Sequence, residues 1–164
     1  MIAASTDELR TYLADLIETA ERFGVTVLPP GDADDVAWEQ DGDDLVLDLA
    51  TRLPAHRRSR DVDLVLQERW SPSTRDEWVL VEYGYELRDH ELDYRRALHR
   101  HDVGYFVRTH DVATHEHCEA TMGSVVCGHY SGEPVSGAID GFRRLYNAWL
   151  SNSKPDCSQL HCLG

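Results

Sequence analysis

The sequence predicts an α+β fold, an antiparallel meander sheet flanked by an N-terminal and a C-terminal helix. Three observations predict it. Apolar residues recur at helical spacing near each end, over residues 5–23 and 134–150. Between these stretches, apolar and polar residues alternate with period two in several runs. The runs are separated by short turn signals rather than helical segments, as in antiparallel hairpins. Residues 1–150 are read as one domain and residues 151–164 as a polar C-terminal tail.

In the first helix Ser5 stands as N-cap, and Glu8 completes a capping-box pattern. Leu9, Tyr12, Leu13, Leu16, Ile17, Ala20 and Phe23 form its apolar stripe, and Gly24 is placed to end it. Val25 to Leu28 reads as a short strand stopped by Pro29-Pro30-Gly31. Val36 to Gln40 and Leu45 to Ala50 flank Asp41-Gly42-Asp43, a hairpin signal. The Asp-rich run from 32 to 44 lacks the ligand order of a calcium loop and reads as a solvated acidic segment. Val62, Leu64 and Leu66 mark the next strand, followed by a loop at Ser71-Pro72-Ser73.

A long strand follows. Val79, Val81, Tyr83, Tyr85 and Leu87 fall on one face, and Leu80, Glu82, Gly84, Glu86 and Arg88 on the other. A turn at Asp89-His90-Glu91 leads to its partner, Leu92 to His101. There Leu92, Tyr94, Arg96 and Leu98 share a face, and Asp93, Arg95, Ala97, His99 and His101 share the opposite one. Tyr105, Val107 and Thr109 suggest another strand. Residues 110–117 read as a loop or sheet edge, Ser124 to Cys127 as an apolar patch, and Gly128 to Gly132 as a loop. The last helix begins at Pro134, with Val135, Ile139, Phe142, Leu145, Tyr146 and Trp149 as its stripe.

The net charge is −14. Lys154 is the only lysine, so the cations are almost all arginine. This acidic, arginine-rich composition resembles that of proteins from salt-loving microbes. In molar salt the screening length falls to roughly 3 Å, so local clusters would govern binding more than net charge. There is no apolar run long enough for a membrane span and no signal-peptide pattern, so the expected location is cytoplasmic. The one basic segment, residues 51–60, is read as a polar loop balancing nearby acids. Its arginines Arg52, Arg57, Arg58 and Arg60 also suit phosphate contacts.

The stretch 78–118 holds six of the nine histidines. His99-Arg100-His101 and His115-Glu116-His117 share one spacing, and in a strand each pair puts two imidazoles on one face. Paired imidazoles suit general acid–base chemistry. Metal-free cleavage of a phosphodiester needs one group to activate the ribose 2′-hydroxyl and another to protonate the leaving oxygen. Arg95, Arg96 or Arg108 would stabilise charge on phosphate, and Asp102 and Glu116 adjoin the pairs. The catalytic candidates are therefore His99, His101, His115, His117, Arg95, Arg96 and Asp102, with no cofactor required.

The alternative is zinc. His115, His117, Cys118 and Cys127 offer one ligand set, and Cys157, His161 and Cys162 another. The His-x-His pairs can also hold a metal with an open position. In a cytosolic setting the four cysteines are expected as buried thiols or metal ligands, not disulfides.

Tyr83-Gly84-Tyr85, then Tyr94 to His101, then His115-Glu116-His117, then the helix 134–150 together resemble the TumE-type toxins of prokaryotic toxin–antitoxin modules. Those proteins carry a Tyr-rich strand, a turn, a strand ending in an aromatic-Asp-Asn-x-Pro-His-His pattern, a His-x-His segment and a helix. The resemblance spans residues 78–148. Arg95-Arg96 stands where the family has Asp-Asn, and His99-Arg100-His101 where it has His-His. The resemblance implies a toxin-like α+β domain acting on RNA, with an antitoxin partner. A homodimer is a further expectation. The rival reading is a non-enzymatic protein whose His and Cys residues hold zinc or simply pack.

Overall fold

The computed structural model describes residues 2–24, 39–54, 59–100, 114–121, 125–130, 132–151 and 157. The expected α+β architecture is present. Strand β1 (Ile2–Ser5) leads into helix α1 (Thr6–Arg22). Strands β2 (Glu39–Asp41), β3 (Asp44–Arg52), β4 (Val62–Pro72), β5 (Glu77–Asp89), β6 (Tyr94–Arg100), β7 (Thr114–Glu119) and β8 (Val125–Tyr130) follow, then helix α2 (Ala138–Ser151). The seven strands from β2 to β8 lie side by side in chain order, all antiparallel. β1 pairs with the first residues of β5, from Glu77 to Leu80.

The local signals act as read. Ser5 Oγ accepts from the Glu8 amide while the Glu8 carboxylate accepts from the Ser5 amide, closing the capping box. Gly24 has φ +74°, the left-handed conformation that ends the helix. Gly42 at φ +66° makes the β2–β3 turn.

Four expectations are corrected. Leu80 is buried with Tyr83 instead of facing away from it. The register explains this: Arg69 pairs with Glu82 but Trp70 pairs with Leu80, so Val81 is an extra residue and the alternation slips. Residues 114–119 are an interior strand, not a loop or edge, because β8 pairs along them. Val125–Tyr130 is one strand instead of an apolar patch and a loop. Helix α2 begins at Ala138, since Gly137 has φ +136°, which no helical residue adopts. The expected strands at 25–28 and 105–109 lie outside the described residues.

Both helices cover one face of the sheet. That face carries Leu47, Leu49, Leu64, Leu66, Tyr85, Leu87 and Leu98, all buried, against Leu16, Ala20, Phe142, Leu145 and Trp149 of the helices. Phe23, just past α1, meets Phe142 and Tyr146 edge-on at 4.9 Å. At Gly141 the helix lies so close to the sheet that an added Cβ would stand 2.3 Å from the Tyr85 ring. Glycine is therefore required there by contact.

Three buried carboxylates hold α2 along its length. Glu68 of β4 accepts from the Ala138 amide at the helix start, 2.9 Å. Glu116 of β7 accepts from Arg144 in the middle, 2.6 Å. Asp89 of β5 accepts from Trp149 Nε1 near the end, 2.8 Å, and from Ser59 Oγ and the Leu92 amide. A buried carboxylate without such donors would be strongly destabilising, so the sheet and helix specify each other's position.

The cysteines depart from expectation. Cys118 on β7 and Cys157 form a disulfide, with Cα atoms 5.5 Å apart. Both are buried. The bond closes a loop across 39 positions of sequence, and a loop of that size is stabilised by roughly 4 kcal/mol on chain-entropy grounds. It draws a residue of the polar tail onto the core. It also removes Cys118 and Cys157, as oxidised here, from both expected zinc ligand sets.

Four tyrosines, Tyr12, Tyr83, Tyr85 and Tyr130, ionise less readily than usual, with burial the largest cause in each case. Tyr130 is pushed up to about 12. A pKa raised in the folded state gives stability that is whole below the unfolded pKa and is lost as pH rises toward the folded one. Stability is therefore expected to fall above about pH 10, by about 1.4 kcal/mol per pH unit for each of the partly buried Tyr12 and the fully buried Tyr85. Urea unfolding followed from about pH 9 to about pH 11.5 at constant salt checks this. A flat profile would contradict it.

Candidate functional site

The face of the sheet opposite the helices is polar, and its layout follows from register. His99 on β6 lies across from His115 on β7, and Ala97 across from His117. Because His115 and His117 are two apart, they share that face. The small Ala97 leaves space between the strands for imidazole rings. The outcome is a triangle of histidines. Ring centroids are 5.4 Å apart for His99–His115, 5.3 Å for His99–His117 and 4.5 Å for His115–His117. His115 is buried, and His99 and His117 are half-buried. His129 on β8 has its Cα opposite His115, a register position that single-sequence reading could not assign before the β7–β8 pairing was known.

The centroid spacing of the triangle is close to that of a metal site. The rings do not, however, bring one nitrogen each within 4.8 Å of the others, as Asp61, Asp63 and His90 bring their ligand atoms, so an ion here would require the imidazoles to turn about their side-chain torsions. Zinc–imidazole bonds of about 2.0–2.1 Å put each ring centroid about 3.2 Å from the ion, and tetrahedral angles then separate centroids by about 5.2 Å. The three observed separations bracket that value. Three neutral imidazoles with a fourth position left open is the donor set of a catalytic zinc.

The other predicted residues divide. Arg95 lies on the histidine face but is held by Glu86 at 2.9 Å and Glu119 at 2.8 Å. Arg96 does not join the site. It alternates to the helix-covered face, where its Nε donates to the buried Glu116 at 2.5 Å. Glu116 also accepts from Tyr130 and Arg144 there, both at 2.6 Å, so it too is turned away from its histidine neighbours. Cys118, beside His117 in sequence, likewise faces the core. His101, Asp102, Arg108, His161 and Cys162 lie outside the described residues. Cys127 has its Cα opposite His117.

Beside His99 the same face holds an open groove of about 360 Å³, bordered by Val46, Gln67, Arg69, Glu82 and Gly84. Arg69 is ion-paired with Asp41, Asp44 and Glu82 at 2.9, 3.1 and 3.9 Å. That end of the groove therefore carries more negative than positive charge.

One other cluster reads as surface electrostatics. Asp61, Asp63 and His90 bring ligand atoms within 4.8 Å of one another. Arg52 already lies 3.3 Å from Asp61 and 3.5 Å from Asp63, and His90 bonds Asp63 at 2.8 Å. Arg52 of the basic segment thus balances local acids; Arg57 and Arg58 lie outside the described residues. Among the described residues no helix is long and apolar enough to cross a membrane. Comparison with protein-family models, curated proteins and solved structures finds no match for this chain.

Proposed function

We propose that His99, His115 and His117 bind one divalent transition metal, zinc in the first instance, and that the open coordination position acts on a phosphate ester of RNA or a nucleotide. The observation that supports this reading is the triangle of imidazole rings, spaced at 4.5–5.4 Å. Such an ion would polarise a phosphoryl oxygen or lower the pKa of bound water. The chain's contribution is positional. Two adjoining strands hold the rings on one face, and the half-buried setting limits competing water.

Zinc titration followed by calorimetry tests the proposal. Wild type is expected to bind one equivalent, and His99→Ala, His115→Ala and His117→Ala each to lose at least about 100-fold in affinity. Absence of zinc binding by the wild type would overturn it.

A second reading keeps the toxin-like, metal-free ribonuclease with an antitoxin partner. It is favoured by the unequal burial of His115 and its two neighbours. Imidazoles in unlike surroundings suit a division between proton acceptor and donor. RNA cleavage that survives chelation and is lost in His99→Ala would select this reading over the metal one.

A further inference from the structure

Gly84 sits in the interior of β5, where glycine weakens a strand and has no side chain to pack. The backbone does not call for it. Its φ is not positive, and an added Cβ would meet nothing closer than Gln67 Oε1 and His99 Nδ1, both at 3.9 Å. That is ordinary van der Waals contact, so the protein itself has room for a Cβ here. A glycine that the fold does not need, between Gln67 and His99, suggests that something else approaches this backbone.

The groove over Gly84 defines what that is. Gln67, Gly84 and His99 form one row across three strands, and Val46, Arg69 and Glu82 form the next. The two ends of the groove, Glu82 and His99, are about 8 Å apart from strand rise and spacing. The His99 end, with His115 and His117 behind it, suits an anionic group. The Glu82 end, with Asp44 and Asp41 beyond Arg69, suits N–H donors. Between them lie Gly84, which carries no side chain, the Gln67 amide and Val46, a lining suited to the face of a ring.

We infer that this groove is the substrate pocket of the histidine centre and takes a nucleotide whose base carries an exocyclic amine, phosphate toward His99 and amine toward Glu82. The inference rests on the histidine centre as the site of chemistry and adds its substrate class.

Titration of the zinc-loaded protein with CMP and UMP tests it, since cytosine carries a 4-amino donor where uracil carries a 4-oxo acceptor beside its N3–H. CMP is expected to bind about tenfold more tightly than UMP. Gly84→Val is expected to weaken both by at least about tenfold with zinc affinity and melting temperature not reduced. Glu82→Gln is expected to remove the difference between them. CMP binding equal in wild type and Gly84→Val, or no CMP binding by wild type, would overturn the inference. If the wild type takes up no zinc, the metal reading fails, and the same titration on the metal-free chain still decides the groove.

Discussion

Replacing Glu116 by alanine is expected to destabilise the protein by about 3–5 kcal/mol, the cost of leaving a buried charge without its partner. Arg96 Nε donates to Glu116 from within the core, and Arg144 and Tyr130 converge on its other oxygen. Without the carboxylate, Arg96 remains buried with its charge uncompensated, and α2 loses its central attachment to β7. Glu116→Gln keeps the shape but not the charge and should cost less than alanine. Guanidinium unfolding with the slope held constant measures both. A loss under about 1 kcal/mol for Glu116→Ala would show that Arg96 finds water or another acid, and that this network does not fix the helix.

The second large effect is expected at Glu68. Its Oε1 accepts from Tyr12, Tyr85 and the Ala138 amide at 2.7, 2.6 and 2.9 Å, and its Oε2 accepts from Trp70 at 2.9 Å. Burial raises the carboxyl pKa, and the four donors oppose that rise. Alanine would leave the donors of β4, β5 and both helices facing a cavity, at about 3–5 kcal/mol in total. Glutamine would present an amide N–H₂ to one donor set and is expected to recover part of this. Because Tyr12 comes from α1 and Ala138 from α2, near-UV circular dichroism should report loosened helix packing in Glu68→Ala before the sheet signal changes. An alanine variant as stable as wild type would remove Glu68 from the account of how both helices dock.

Where local patterns are strong, they predicted the fold. The capping box at Ser5 and Glu8, the turn at Gly42 and the alternation of Leu45, Leu47 and Leu49 are short-range signals, and each appears as read. What escaped was non-local. The slip at Val81 depends on the pairing with β4, and β1 is too short to show a period. β7 reads poorly because Glu116 and Cys118, on its buried face, look like surface or ligand residues. Their burial is explained only by Arg96, Arg144 and Cys157, which arrive from distant positions.

The candidate site divided along the same line. The identity of His99, His115 and His117 was legible from two His-x-His pairs, since period two puts such pairs on one face. Their convergence required the β6–β7 register. Alternation puts Arg96 with the core-facing Tyr94 and Leu98, whereas residue type alone makes it a candidate phosphate ligand. The alternation was the sounder guide, because face assignment follows from the pleat, whereas the phosphate role rested only on residue type.

X-ray absorption at the zinc edge of the zinc-loaded protein tests the central claim most directly. The account predicts one ion with three imidazole nitrogens at about 2.0–2.1 Å and a light atom in the remaining position, with the imidazole signal diminished in His117→Ala. A first shell dominated by sulfur at about 2.3 Å, or no ordered zinc, would contradict it.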